Sequence, residues 1–173
     1  SFNFQLIQDV LPRVTLFTPE EKIRLESAHK EFLANMETLS DLEYRKEMER
    51  LGVDLSWKSS QIEGNTYSLL ETERLLKEKQ TAQGKTKEEA VMLLNHKDAL
   101  DFILDNPDYL KELSVRRLED IHSILTKELG VGNGIRKRRV GIIGTNYRPL
   151  DNEFQIREAL EDTCQLINGK ENV

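Results

Sequence analysis

The chain has 173 residues, 38% of them hydrophobic and 32% charged, and carries a net charge of −6. That is enough for one globular domain with its own core, or one domain and a small extension. The acidic balance argues against general binding to nucleic acid or to anionic membranes, and no apolar run approaches the ~20 residues that span a bilayer.

Residues 1–17 mix apolar and polar side chains without a long period. Phe2, Phe4, Leu6, Ile7, Val10 and Leu11 need cover, so this arm is expected to pack on the body, and Pro12 breaks it. Its start, Ser1-Phe2-Asn3-Phe4, has no initiating Met and no charged segment of a signal peptide, which suggests a trimmed chain. Thr18-Pro19-Glu20-Glu21 opens a helix, with Thr as the cap, Pro at the first position and Glu three residues after the cap. Leu25, Ala28, Phe32, Met36 and Leu39 then recur at three and four, the spacing of one buried stripe.

Ser40-x-x-Glu43 repeats the capping pattern. Gly52 is expected to interrupt, with Asp54 capping a new helix that carries Leu55, Trp57, Ser59, Ile62 and Glu63. Ser68-x-x-Glu71 and Thr86-x-x-Glu89 open two more helices, separated by a loop around Gly84. Asn106-Pro107 ends the second of these. Ser114 begins a helix with Leu118, Ile121, Leu125 and Leu129 at helical spacing. Glycines 130, 132 and 134 then break the chain, and Asp151 or Asn152 caps a last helix with Ile156, Leu160 and Ile167. Between them, Val140 to Pro149 holds strand formers around Gly144-Thr145-Asn146, so a short hairpin is expected. The sum is an all-α array with one small β-hairpin.

Chemistry-bearing residues are sparse. His29, His96 and His122 are scattered among helical patterns, and no Cys-x-x-Cys or His-x-x-x-His spacing exists, so no metal site is expected. Cys164 is the only cysteine; no internal disulfide can form, and a reducing, cytoplasmic setting fits. Gly130-Val131-Gly132-Asn133-Gly134 precedes four basic residues but lacks the Gly-Lys-Ser/Thr ending of a phosphate loop. It reads either as a flexible turn with a solvated basic run or as a local attraction for acidic targets or nucleotide phosphates.

The stretch Ser59-Ser60-Gln61-Ile62-Glu63-Gly64-Asn65 is more informative. Ser59 and Glu63 share a helix face, and Gly64 suits a left-handed cap, so Glu63 falls at the negative end of the helix dipole. On the residues alone, Glu63 is a solvated acid beside a helix stop, or an acid set to face a cation.

This stretch resembles the inhibitory-helix motif of the Fic family, Ser/Thr-x-x-x-Glu-Gly/Asn, and Thr66 to Glu71 resembles its continuation. Gly134, Arg136, Val140, Ile142, Gly144 and Pro149 are similar to the family's flap and its lead-in. Asn95, Ala99 and Leu100 resemble its pattern in the helix before the flap. The resemblance covers roughly residues 40–168.

It implies a Fic-like helical array, incomplete at its C-terminal side. The implied segments are an N-terminal helical region (1–50), an inhibitory helix and the helix after it (51–79), and the N-terminal part of the Fic core with its flap (80–173). The implied activity is transfer of AMP from ATP to a hydroxyl side chain of a target protein. Ser59, Glu63 and Gly64 would be inhibitory, Glu63 pairing with a catalytic-loop arginine where the ATP γ-phosphate should sit. Glu63, Ile143, Gly144, Thr145 and Asn146 would lie near the nucleotide, and Val140, Gly141, Ile142 and Tyr147 would dock the target by strand addition.

The family's His-Pro-Phe-x-Asp/Glu-Gly-Asn-x-Arg-x-x-Arg loop, which supplies the general base and holds Mg²⁺ and the phosphates, occurs nowhere in the 173 residues. The expectation is therefore an inactive chain without catalytic residues. Its partners would be the target protein, the missing half of the core and, in a homo-oligomer, a second copy. Apolar faces including Leu93, Leu118, Ile121 and Leu125 are expected to lie uncovered. The rival reading, from another class, is a non-catalytic helical adaptor that binds proteins.

Overall fold

The computed structural model describes residues 2–170. A short π-helical turn, Leu6–Val10, is followed by helices α1 (Pro19–Thr38), α2 (Asp41–Ile62), α3 (Leu69–Glu78), α4 (Lys87–Asp105), α5 (Pro107–Leu110), α6 (Val115–Leu125) and α7 (Glu153–Asn168). The fold is all-α, and no strand forms among the described residues.

The helix starts arise from local chemistry. Thr18, Ser40, Ser68 and Thr86 each accept a hydrogen bond from the backbone N–H three residues on. The glutamate at that third position accepts from the cap's own N–H in all four. Each box satisfies two backbone donors that the helix itself leaves unpaired. Asn152 caps α7 by accepting from the N–H groups of Phe154 and Gln155.

The chain divides into two compact units. One takes its described residues from Ser40–Lys111 and Glu119–Gly134. Here α2 buries Gly52, Val53, Ser56 and Ser60 and lies against α4, with Gly52 beside Lys97 and Ser60 beside His96. The core is Tyr67, Leu75, Ala90 and Leu93, with Ala82 and Leu94 packed on it. Asn95, buried on α4, donates to the carbonyls of Leu125 and Lys127 at 3.1 and 2.7 Å and so caps the end of α6. Glu128 lies just beyond in the left-handed region, so α6 stops at Leu125, short of the expected Leu129.

The other unit takes its described residues from Ser1–Leu39, Glu112–Leu118 and Ile135–Val173. The N-terminal π-turn packs on α7, with Gln8 donating to the Asp162 carboxylate at 2.7 Å. Ile7 and Leu11 are half-buried there, whereas Leu6 and Val10 stay exposed. Asn168, at the end of α7, exchanges two 2.8 Å hydrogen bonds with the backbone of Leu113.

Four expectations are corrected. Gly52 does not interrupt: α2 runs unbroken from Asp41 to Ile62, because the glycine is used for close helix approach and its backbone stays helical. The stripe on α1 is not buried: no residue of that helix is, and Phe32 is 52% exposed. Leu93 is not uncovered but sits fully inside the core, and Leu118, Ile121 and Leu125 are half-buried. Uncovered apolar side chains lie elsewhere, among them those of α1, Leu42, Ile62, Leu70, Ile143 and Phe154.

The fourth correction concerns the hairpin. Residues 140–149 form an irregular loop with a turn at Ile143-Gly144 and no strand pairing. Gly144 has φ +80° while Ile143 is not left-handed. A turn with positive φ only at its second central residue splays its arms, whereas two-residue hairpins need the mirror-image turns. Pro149, lacking an N–H, removes a further ladder donor.

Candidate functional site

Glu63 is the C-cap of α2, its N–H bonded to the Ser60 carbonyl at 3.1 Å. Gly64 comes next with φ +89° and bonds back to the Gln61 carbonyl at 3.0 Å. A Cβ on Gly64 would meet nothing within 4 Å, so conformation rather than space asks for glycine there. Ser59 is half-buried one turn earlier, and Glu63 and Gly64 are exposed. Among the described residues the Glu63 carboxylate has neither an ion pair nor a hydrogen bond. It is an acid at the negative end of a 22-residue helix, without compensation.

Residues 65–67, just beyond Glu63 and its glycine, are held tightly. The Asn65 N–H returns to the Ser60 carbonyl at 3.0 Å. Its side chain donates to the Glu89 carbonyl at 2.8 Å and accepts from the Tyr67 N–H at 3.0 Å. Thr66 gives both its N–H, at 2.8 Å, and its hydroxyl, at 2.6 Å, to one carboxylate oxygen of Glu89. The other oxygen takes the Thr86 N–H at 3.0 Å. Lys85 donates to the Thr66 carbonyl at 2.6 Å. Trp57 Nε1 donates to the Tyr67 carbonyl at 2.9 Å.

Hydrogen bonds from the Thr66 hydroxyl, the Thr86 N–H and the Thr66 N–H hold the Glu89 carboxyl down at about 2, from the usual 4.5. Burial pushes the Tyr67 hydroxyl up. The sequence located Glu89 only as a cap partner of Thr86; the Thr-x-x-Glu spacing signals one of its oxygens, and nothing local signals that the other holds Thr66.

The second stretch, in the other unit, is the irregular loop 140–149. Val140, Gly141, Ile142, Ile143, Gly144, Thr145, Asn146 and Tyr147 are all exposed. The Thr145 hydroxyl accepts from the Tyr147 N–H at 3.1 Å. Its two ends are joined at the base. Arg136 donates to the Leu150 carbonyl, Arg139 pairs with Asp151 at 2.8 Å, and Lys137 lies 3.6 Å from Glu153. The basic run is thus partly engaged with acids across the base of the loop, not wholly solvated.

Among the described residues no group of three His, Cys, Asp or Glu side chains could hold a metal ion. No helix among them is long and apolar enough to cross a membrane. Comparison with known proteins finds no matching family model, no similar curated protein and no similar solved structure.

Proposed function

We propose that the chain is the N-terminal part of a Fic-family protein adenylyltransferase, with Glu63 as its inhibitory acid. The observation that carries this reading is the uncompensated Glu63 carboxylate, exposed at the end of a helix that stops at Gly64. A carboxylate with no internal partner at the negative end of a dipole gains by meeting an arginine, and that pair is charge-assisted and bidentate. With the catalytic-loop arginine so engaged, the ATP γ-phosphate loses its ligand and the α-phosphate is not presented for transfer. Mg²⁺ finds no ligand set among the described residues; in this reading its ligand is the catalytic-loop acid, which these 173 residues do not contain. The exposed run Val140 to Tyr147 suits docking of an extended target segment, since its backbone groups are unpaired by any strand among the described residues.

The test uses the coding sequence that carries this chain together with its downstream catalytic loop, assayed with labelled ATP. Glu63→Gly and Glu63→Gln both raise AMP transfer; the second keeps the shape and removes the charge. If both variants fold and neither transfers more AMP than the parent, Glu63 is only a helix end. A downstream sequence with no such loop favours the adaptor reading instead, which draws support from the exposed apolar side chains of α1.

A further inference from the structure

The side chain of Glu63 is untethered, yet its main chain is fixed from one side. Three hydrogen bonds join Asn65 and Thr66 to Glu89, on the first turn of α4. Lys85 closes the arrangement from the preceding loop, donating to the carbonyl and the hydroxyl of Thr66 at 2.6 and 3.1 Å. Every polar atom of Thr66 is therefore engaged, three residues beyond the motif acid and two beyond its glycine. The Asn65 N–H carries the constraint back into the helix at Ser60. The last turn of α2 cannot shift or unwind without breaking this set.

We infer that Glu89 is a positioning residue for Glu63: the latch it forms with Asn65 and Thr66 fixes where the inhibitory acid is presented, and loosening it weakens the inhibition. The inference rests on the inhibitory reading of Glu63. It adds that inhibition is set by hydrogen bonds made more than twenty residues downstream in sequence, on another helix. Glu63 meets its arginine with the backbone already ordered, so little freedom is lost on pairing; with the latch open, that ordering must be supplied at the moment of pairing.

Two variants test it. Glu89→Gln removes the charge that Thr66 donates to, and Thr66→Val removes the hydroxyl while keeping the shape. Amide hydrogen exchange on this chain should accelerate about tenfold at Gly64, Asn65 and Thr66, with cooperative melting retained, as expected for a local opening eased by ~1.4 kcal/mol. In the protein with its catalytic loop, either variant should raise AMP transfer several-fold. In a Glu63→Gly background neither should add anything, because no inhibitor remains to be positioned. A merely structural role would lower transfer in both backgrounds, and that result overturns the inference. So does unchanged exchange, or faster exchange without more transfer while Glu63→Gly alone raises it; in that last case the inhibitory reading stands and only the latch falls. If Glu63→Gly itself raises nothing, the inhibitory reading falls and the inference with it.

Discussion

Gly52 on α2 and Lys97 on α4 approach so closely that a Cβ at Gly52 would lie 3.2 Å from both Cδ and Cε of Lys97. The Lys97 ammonium is in turn held by the Asp101 carboxylate one turn along α4. The lysine stem thus fills the space a side chain would take and covers the helix with its methylenes. Replacing Gly52 by Ala gains about 1 kcal/mol of helix propensity and loses part of it by pushing the stem aside. Gly52→Ala is therefore expected within ~1 kcal/mol of the parent, whereas Gly52→Leu overfills the contact and costs about 1–3 kcal/mol. Urea unfolding followed by the fluorescence of Trp57, the only tryptophan, measures both. A Leu variant as stable as the parent would mean the two helices are not in contact there.

That pair also marks what the sequence could and could not tell. A mid-pattern glycine reads as a break when only its neighbours are considered; its use depends on a lysine 45 positions away, which no local pattern announces. The capping boxes were legible because their partners sit three residues apart and the geometry is local. The stop at Glu63 and Gly64 was legible for the same reason. Helical spacing correctly predicted that α1 is a helix, but which stripe becomes covered depends on what packs against it, and nothing among the described residues buries α1. In 140–149 the alternation of strand formers was real, but the turn at Ile143-Gly144 has positive φ only at Gly144 and is not the mirror-image turn that short hairpins favour. Of the candidate site, the motif acid was legible and its support was not, because Glu89 reaches Thr66 across 23 residues of chain.

The caps should not be equal. Losing a helix cap to alanine costs typically ~1 kcal/mol. Thr18→Ala removes such a cap from α1, which buries nothing, so its loss frays a helix end without disturbing a core. Thr86→Ala removes the cap of α4 and the hydroxyl that donates at 3.2 Å to one oxygen of Glu89, whose other oxygen holds Thr66. Thr86→Ala is expected to cost about 1–2 kcal/mol and Thr18→Ala less than ~1, both by urea midpoint. A larger loss at Thr18 would mean that α1 is packed in solution.

Acid should weaken the Glu89 latch in a defined window. The folded-state value of this carboxyl is lowered to about 2 from the usual 4.5. The unfolded chain therefore takes up its proton first, and the stabilisation is fully present above about 4.5 and lost as the pH falls through about 2. Glu43 and Glu71 are also held below the usual range, by hydrogen bonds from Ser40 and Ser68, and contribute in the same direction. The difference in urea midpoint between the parent and Glu89→Gln isolates Glu89. That difference is expected to be constant between pH 7 and 5, to shrink below pH 4.5 and to be nearly gone at pH 2. A difference that is independent of pH would mean that glutamine costs stability through packing, not through the lost charge.

The last prediction sets a buried leucine against an exposed phenylalanine. Leu93 has no exposed surface and packs with Tyr67, Leu75 and Ala90. Cutting it to alanine removes three carbons' worth of contact and leaves a void that helices α3 and α4 can close only in part. The expected loss is about 2–5 kcal/mol, a large share of the stability of a small domain. Phe32 has the larger apolar side chain, and hydrophobicity alone would rank it first. Yet it is 52% exposed on α1, so truncating it should change stability by less than ~0.5 kcal/mol. Equilibrium unfolding of Leu93→Ala and Phe32→Ala, under identical conditions and at several protein concentrations, reads both numbers. A cost above ~2 kcal/mol for Phe32→Ala that grows with protein concentration would mean that a second copy covers α1, and the same cost without concentration dependence would mean that α1 folds back on its own chain.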